Sequence, residues 1–247
     1  RSLVGQSMQD PSLYYHENVV GGIALLDAAR DAGVDRMVFS STAAVYGAPE
    51  QSPLREDDPL RPINTYGATK LAFEGAMRWY AIDGLRSVAL RYFNVAGASE
   101  RFGEDHEPET HLIPNLLKAV ETGEPMTLYG DDYPTADGTP IRDYIHVLDL
   151  AEAHLAALEL TGSMQPVQSV CNLGTGGGFS VKQVLAAAER VVGGAVPHVV
   201  GPRRAGDPPI LVASNERARE VLGWTPQRST LEEMIGSAWA WRRRTFG

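Results

Sequence analysis

Tyr66 and Lys70 stand four residues apart in the stretch "INTYGATKLAFEGAMRWY", residues 63–80. If the stretch is helical, that spacing puts both side chains on one face, one turn apart. A free phenol ionises near pH 10 and is a poor base at neutrality. A lysine ammonium close by favours the phenolate, and a positively charged nicotinamide ring favours it further. A tyrosine placed in this way can take a proton from a hydroxyl while hydride leaves the same carbon. The pair alone says little, because Tyr and Lys are common on amphipathic helices.

The stretch "FSSTAAVYG" adds to it. "DRMVFSS" reads as a short apolar strand from Asp35 to Ser41, so Ser40, Ser41 and Thr42 fall at its C-terminal edge. Open α/β sheets place their sites there. A hydroxyl at that edge can orient a substrate oxygen toward the phenolate, although plain loop capping uses the same residue types. Ala43 and Ala44 follow, with no carboxylate. A dehydratase needs a second acid/base pair to expel a neighbouring hydroxyl, and this segment does not supply one.

The elements that must position these residues can be read along the chain. Asp10-Pro11 reads as an N-cap and first helical residue. Tyr15, Val19, Ile23 and Leu26 follow at helical spacing, and Gly33 closes the segment. After the first strand comes a polar loop through Pro49, Pro53, Pro59 and Pro62, then the Tyr66 helix, then a strand from Ser87 to Phe93. Strands separated by long amphipathic helices imply parallel pairing with helices on the faces, an α/β doubly wound parallel sheet.

Beyond Ala98 the character changes. "SERFGEDHEPET" is charged and loop-like, and a helix is expected from Leu112 to Glu121, then a strand from Met126 to Tyr129. The long turn "GDDYPTADGTPIRD" leads to the strand "YIHV", a helix from Asp149 to about Leu160, and the strand "SVCNLG". Ser180 with Gln183, and Ser229 with Glu232, read as capping boxes of the last two long helices. This part reads as a smaller C-terminal α+β lobe.

"NLGTGGGFSVKQV" follows a strand and opens a helix, which is the context of a dinucleotide loop. The detail fails. Gly174 and Gly176 fit the first two positions, but Phe179 stands where the last glycine belongs. No acidic residue follows about twenty positions on, where a ribose needs one. A tight strand-to-helix turn is the better reading.

The 247 residues are 43% hydrophobic and 21% charged, an ordinary globular balance. A net charge of −9 makes the chain a poor non-specific partner for nucleic acid. An anionic substrate must then be held by a few local cations. The single cysteine, Cys171, cannot form an intramolecular disulfide, which suits a reducing cytoplasm. No apolar run reaches the roughly eighteen residues of a membrane span. The six histidines show no HxH or HExxH spacing, so no metal is expected.

Thr42 with "YGATK" is similar to the Ser/Thr-Tyr-Lys set of the extended short-chain dehydrogenase/reductases. Within that family, "YYHENVVGGIALLDAA", "FSSTAAVYG", "RYFNVAGA", "YGDDYPTADGTPIRDYIHVLDLA" and "RRAGDP" resemble the UDP-hexose 4-epimerases. The "DDYPTADGT…RDYIHV" block is long and specific; the YxxxK is not. The resemblance implies a Rossmann-type doubly wound sheet whose first strand and glycine-rich loop would precede Arg1. By βαβ arithmetic that is on the order of eighty residues. The expectation is thus a partial Rossmann-type sheet, first βα units missing, over residues 1–98. A substrate lobe follows over 99–247, with about 142–175 returning to the first domain.

The same resemblance implies NAD as cofactor, UDP-glucose and UDP-galactose as substrates, no nucleic-acid or membrane partner, and a homodimer. Thr42, Tyr66 and Lys70 would be catalytic, with Lys70 also holding the nicotinamide ribose. Asn18 and Phe93 match cofactor contacts. Arg142 and Arg204 match diphosphate-binding arginines, whose planar fork suits phosphate. Asp207 matches the acid on the uridine ribose, Asn94 an amide near the diphosphate, and Leu112 and Tyr129 the flanks of the nucleotide. Tyr144 would lie nearby, His111 stands where some relatives carry Asn, and Leu211 would set the room around sugar C2. A 4-epimerase of UDP-xylose/UDP-arabinose or of UDP-N-acetylhexosamines stays open, as does a nucleotide-sugar reductase or a fragment that only binds UDP.

Overall fold

The structure is a computed structural model in which residues 1–204 and 207–246 are described. In chain order the first elements are α1 (Val4–Gln9), α2 (Pro11–Tyr14), a π-helical turn (Tyr15–Val20), α3 (Gly21–Asp31) and β1 (Arg36–Thr42). A 3-10 turn (Ala43–Tyr46), α4 (Thr65–Tyr80), β2 (Arg86–Tyr92), β3 (Asn94–Ala96), α5 (Leu112–Thr122) and β4 (Met126–Tyr129) follow. Then come β5 (Ile141–Arg142), β6 (Tyr144–His146), α6 (Val147–Ser163), β7 (Gln168–Leu173), β8 (Phe179–Ser180) and α7 (Val181–Val192). The chain ends with β9 (His198–Gly201), β10 (Ile210–Leu211), α8 (Glu216–Leu222) and α9 (Leu231–Thr245). Two compact units result.

The first unit holds Arg1–Tyr92, Glu152–Leu173 and Ser214–Trp224. Its sheet is parallel in the order β1-β2-β7. The central strand β2 is apolar on both faces, with Val88, Ala89 and Leu90 fully buried, as a parallel strand between covering layers must be. Leu26, Phe73, Met77 and Leu85 form a core against Met37 and Phe39, so α3 and α4 are seated on one face of the sheet. The Phe39 and Phe73 rings meet edge to face at 4.7 Å.

Asp10 caps α2 as its sequence predicts, accepting the Leu13 N–H at 3.0 Å. The helical spacing beyond it holds, but the buried face is different. Tyr14 and Leu26 are buried, whereas Tyr15 and Ile23 are 47% and 38% exposed. The π-helical turn at Tyr15–Val20 inserts a residue and rotates the helix beyond it. Periodicity cannot show such a turn.

The second unit holds Phe93–Ala151, Gly174–Ala213 and Thr225–Gly247. Its core joins α5, α7 and α9 through Leu116, Leu117, Val184, Ala188, Met234 and Ile235. Around it lie three small sheets: β3 with β6, β4 with β9, and β10-β5-β8. Parallel pairs predominate, with β5 and β8 antiparallel. The Ser180–Gln183 capping box forms as expected. The second one does not. Thr230 caps α9 through the Glu233 N–H at 3.2 Å, while Ser229 accepts the His146 N–H and donates to buried Asp149. A buried carboxylate outcompetes the local cap. Among the described residues no helix is long and apolar enough to cross a membrane.

Candidate active site

In the first unit, β1 ends at Thr42, whose Oγ1 accepts the Ala44 N–H at 3.1 Å and starts the 3-10 turn. Asn64 starts α4 by accepting the Gly67 N–H at 2.8 Å, and the Tyr66 N–H donates to Ser7 Oγ at 3.1 Å. The chain can close here only because residue 67 is glycine. A Cβ at that position would stand 2.5 Å from the Ala44 carbonyl oxygen. The helix start therefore lies directly on the turn after β1, which brings the Tyr66 phenol near the Thr42 hydroxyl.

Lys70 donates from Nζ to the Ser40 carbonyl at 3.0 Å. It lies 4.8 Å from the Phe39 ring centroid and 5.8 Å from that of Tyr66. Burial lowers its pKa. Tyr66 is pushed up to about 12, first by burial, with Thr42 acting in the opposite direction. The expected shift toward neutrality therefore calls for a positive charge beyond those of the chain. Asn18, on the π-helical turn, donates to Thr69 Oγ1 at 3.1 Å, and Thr69 donates to the Tyr66 carbonyl at 2.9 Å. The first unit thus brings Asn18, Thr42, Tyr66 and Lys70 together.

In the second unit, Arg142 on β5 donates from Nη2 to Asp207 Oδ1 at 2.5 Å and to the Pro208 carbonyl at 2.7 Å. These two expected site residues, 65 apart in sequence, form one ion pair, with Arg142 largely buried. The Arg204 guanidinium lies 4.2 Å over the Tyr129 ring, and Tyr129 is exposed at the end of β4. Leu211 is the registered partner of Arg142. Asn94 donates from both its backbone N–H and its Nδ2 to the Asp143 carbonyl, each at 3.0 Å, so its amide bridges β3 and β6. Phe93 and Tyr144 are buried, and burial pushes the Tyr144 phenol far up.

His111 is the N-cap of α5, and Leu112 is that helix's first residue. Its Nδ1 meets Glu104 Oε1 at 2.7 Å and Glu109 Oε1 at 2.8 Å. Glu104 above all lifts its pKa to about 9. His106 joins the same cluster, 2.9 Å from Glu104. Sequence spacing does not reveal this group, because its four members come together only through the fold of a loop. His146, by contrast, is structural: Nε2 meets Ser237 Oγ at 3.0 Å and Nδ1 accepts the Leu148 N–H.

The glycine-rich turn is closed on a carboxylate of the protein itself. Asp143 Oδ1 accepts Thr175 N–H and Oγ1–H at 2.7 and 2.6 Å, and Oδ2 accepts Gly176 N–H and Ala213 N–H at 3.1 Å each. A Cβ on Gly174 would stand 2.5 Å from Asp143 Oδ2. The donors that would cradle a phosphate are used, as expected of a structural turn.

One set of residues the motifs do not single out lies under β1. The Ser41 hydroxyl donates to Glu74, which also pairs with Arg91. The signal that could have found Glu74 is its place four residues after Lys70.

A profile of the NAD dependent epimerase/dehydratase family matches residues 1–174. The chain is 52% identical over 243 residues to a UDP-glucose 4-epimerase of Corynebacterium glutamicum, covering 97% of this chain and 73% of the relative. It is similar to the crystal structure of UDP-glucose 4-epimerase from Brucella ovis in complex with NAD, with TM-score 0.93 and 45% identity over 97% of this chain and 75% of that one. It is also similar to UDP-glucose 4-epimerase from Bifidobacterium longum in complex with NAD+ and UDP, with TM-score 0.91 and 36% identity over 99% of this chain and 74% of that one.

Proposed function

The chain belongs to the NAD dependent epimerase/dehydratase family, and on that premise we propose that it interconverts UDP-glucose and UDP-galactose. The reaction is an isomerisation at sugar C4 that uses NAD. The observation that carries this reading is the placement of Tyr66 and Thr42 together at the end of β1, beside the Lys70 ammonium.

The donor set there fits the cofactor. Lys70 has three N–H donors, of which the Ser40 carbonyl takes one, and the others suit the diol of a ribose. Asn18 lies on the neighbouring turn, its amide held by Thr69 and Arg1. NAD, when bound, supplies the acceptor and donor of the hydride at C4.

The chain's own residues handle the proton and the grip. Tyr66 Oη takes the proton of the sugar 4-hydroxyl and later returns it. With its pKa near 12 in the protein alone, that base needs a further positive charge close by. Thr42 Oγ1, near Tyr66 at the end of β1, orients the same sugar oxygen. Inversion demands that the oxidised hexose offer its other face, so the nucleotide must be held firmly and the hexose loosely.

Firm holding falls to Arg142 and Arg204 on the diphosphate, Asp207 on the uridine ribose, and Leu112, Tyr129 and Asn94 around them. Asp207 also sets the Arg142 fork. These cations supply locally the positive charge that a chain of net −9 lacks overall. The same reading places the protein in the cytoplasm as a homodimer acting on small nucleotide sugars, with no nucleic-acid or membrane partner. The lone, buried Cys171 supports the compartment. The exposed Leu25, Trp79 and Ile82 of the first unit support the dimer.

The test supplies the protein that carries this chain with NAD and UDP-galactose and follows UDP-glucose through a coupled dehydrogenase. Activity is expected. Tyr66→Phe should lower kcat by roughly 10²–10⁴-fold, and a variant within threefold of its parent would remove Tyr66 from the role of base.

A further inference from the structure

Helix α4 carries Tyr66, Lys70 and Glu74 at successive four-residue steps, a single stripe of one helix face. Tyr66 acts on Thr42 and Lys70 on the Ser40 carbonyl. Glu74 reaches the residue between them, because the Ser41 hydroxyl donates to Glu74 Oε1.

Strand register extends this contact across the sheet. Ser41 pairs with Arg91 and Arg91 with Asn172, so one polar rung crosses all three strands. Ser41 and Asn172 are fully buried, and Arg91 and Glu74 are 3% exposed. Arg91 donates to Glu74 from Nε at 3.0 Å and Nη2 at 2.6 Å, and from Nη1 to the Tyr46 hydroxyl at 3.0 Å. Tyr46 donates to Asn172 Oδ1 at 2.7 Å, and Asn172 Nδ2 to the Leu54 carbonyl at 2.9 Å. The next rung is Thr42, Tyr92 and Leu173. The charged network therefore lies one residue behind the hydroxyl that meets Tyr66.

A buried ion pair is poor evidence for stability, since apolar residues of similar volume often do as well or better. What this pair adds is direction. The two oxygens of Glu74 accept from β1 and β2 at once, so α4 cannot slide or roll on the sheet without breaking bonds to both strands. A slip of one residue moves a helix by about 1.5 Å, enough to take the Tyr66 hydroxyl out of reach of Thr42.

We infer that Glu74 is a positioning residue for the reaction: through Ser41 and Arg91 it holds the α4 face that carries Tyr66 at the Thr42 end of β1. The inference rests on the assignment of Tyr66 as the base.

The test replaces the pair by Glu74→Met with Arg91→Met, which keeps volume and removes the directed bonds. Three quantities are read: kcat and KM for UDP-galactose, Tm, and the 13Cζ resonance of Tyr66, assigned with Tyr66→Phe. The expected result is a folded protein with kcat lower by roughly tenfold to a hundredfold, KM within about twofold, and a displaced Tyr66 resonance. Unchanged kcat and an unchanged resonance in the folded variant overturn the inference. If that variant does not fold, Ser41→Ala decides. It leaves the ion pair in place and should still lower kcat and shift the resonance in a protein that stays folded, with Tm lower by only a few degrees; no change in either kcat or the resonance overturns the inference. If the parent chain itself shows no epimerisation, the proposed function fails, while the resonance still reports whether Glu74 positions Tyr66.

Discussion

Asp143→Asn is the sharpest probe of how the second unit holds its shape. The carboxylate is fully buried and accepts four hydrogen bonds, from Thr175 N–H and Oγ1–H, Gly176 N–H and Ala213 N–H. An amide has one acceptor oxygen and one NH2. Its least costly orientation turns the oxygen toward Gly176 and Ala213 and the NH2 toward Thr175. The Thr175 hydroxyl can reverse and accept, but the Thr175 N–H then faces another donor. One buried donor left without its acceptor costs about 1–3 kcal/mol, and the loss of charge-assisted bonds adds about 1 kcal/mol more. The sum is about 2–4 kcal/mol. For a chain of this length each kcal/mol moves Tm by about 2–4 °C, so a drop of roughly 4–16 °C is expected. Differential scanning calorimetry measures it, and amide exchange locates it at residues 175, 176 and 213. Because Asp143 is flanked by Arg142 and Tyr144, KM for UDP-galactose should rise more than kcat falls. A Tm within 1 °C of the parent, with those amides equally protected, would refute the reasoning.

Arg142→Lys keeps the charge but loses the planar fork proposed for the diphosphate, along with the Nη2 that meets Asp207 and Pro208. Titration calorimetry with UDP should show binding weaker by roughly tenfold or more, since Lys is not equivalent at a bidentate site. Gly67→Ala places a methyl 2.5 Å from the Ala44 carbonyl oxygen. The helix start must move off Thr42, and steady-state kinetics should show kcat lower by about 10²-fold. His111 is raised from 6.5 to about 9, chiefly by Glu104. A raised pKa means that the folded state binds the proton more tightly. The stabilisation from this contact is therefore complete below about pH 6.5 and is lost as pH rises through 9. Melting curves between pH 6 and 10 should show that decline, and His111→Asn should abolish it.

Local features were legible because they are written in neighbouring residues. Asp10-Pro11 caps its helix, Ser180 and Gln183 close a box, and Tyr66 and Lys70 share one helix face. The glycine-rich turn is separable from a cofactor loop by Phe179 and by the missing acidic residue beyond it. The failures have physical causes. Spacing offers Ser229 as a cap, but buried Asp149, 80 residues away, claims its hydroxyl. The apolar period of α3 carries no sign of the π-helical turn that rotates it. Helical distance relates Lys70 to Tyr66 but does not show the burial that holds the phenol at about 12.

By itself the sequence determined the main strands and helices in their order, several helix starts, and the types of residue available for proton transfer and phosphate binding. Spacing and capping act over a few residues, and no tertiary contact is needed to read them. Only the tertiary structure decided which side chains meet. It paired Arg142 with Asp207, turned Asp143 into the acceptor of the glycine-rich turn, and aligned Ser41, Arg91 and Asn172 in one rung beneath Glu74. Those partners are set by strand register and helix placement. Register in turn follows from the burial of β2 between its neighbours, a property of the assembled sheet that no single segment carries.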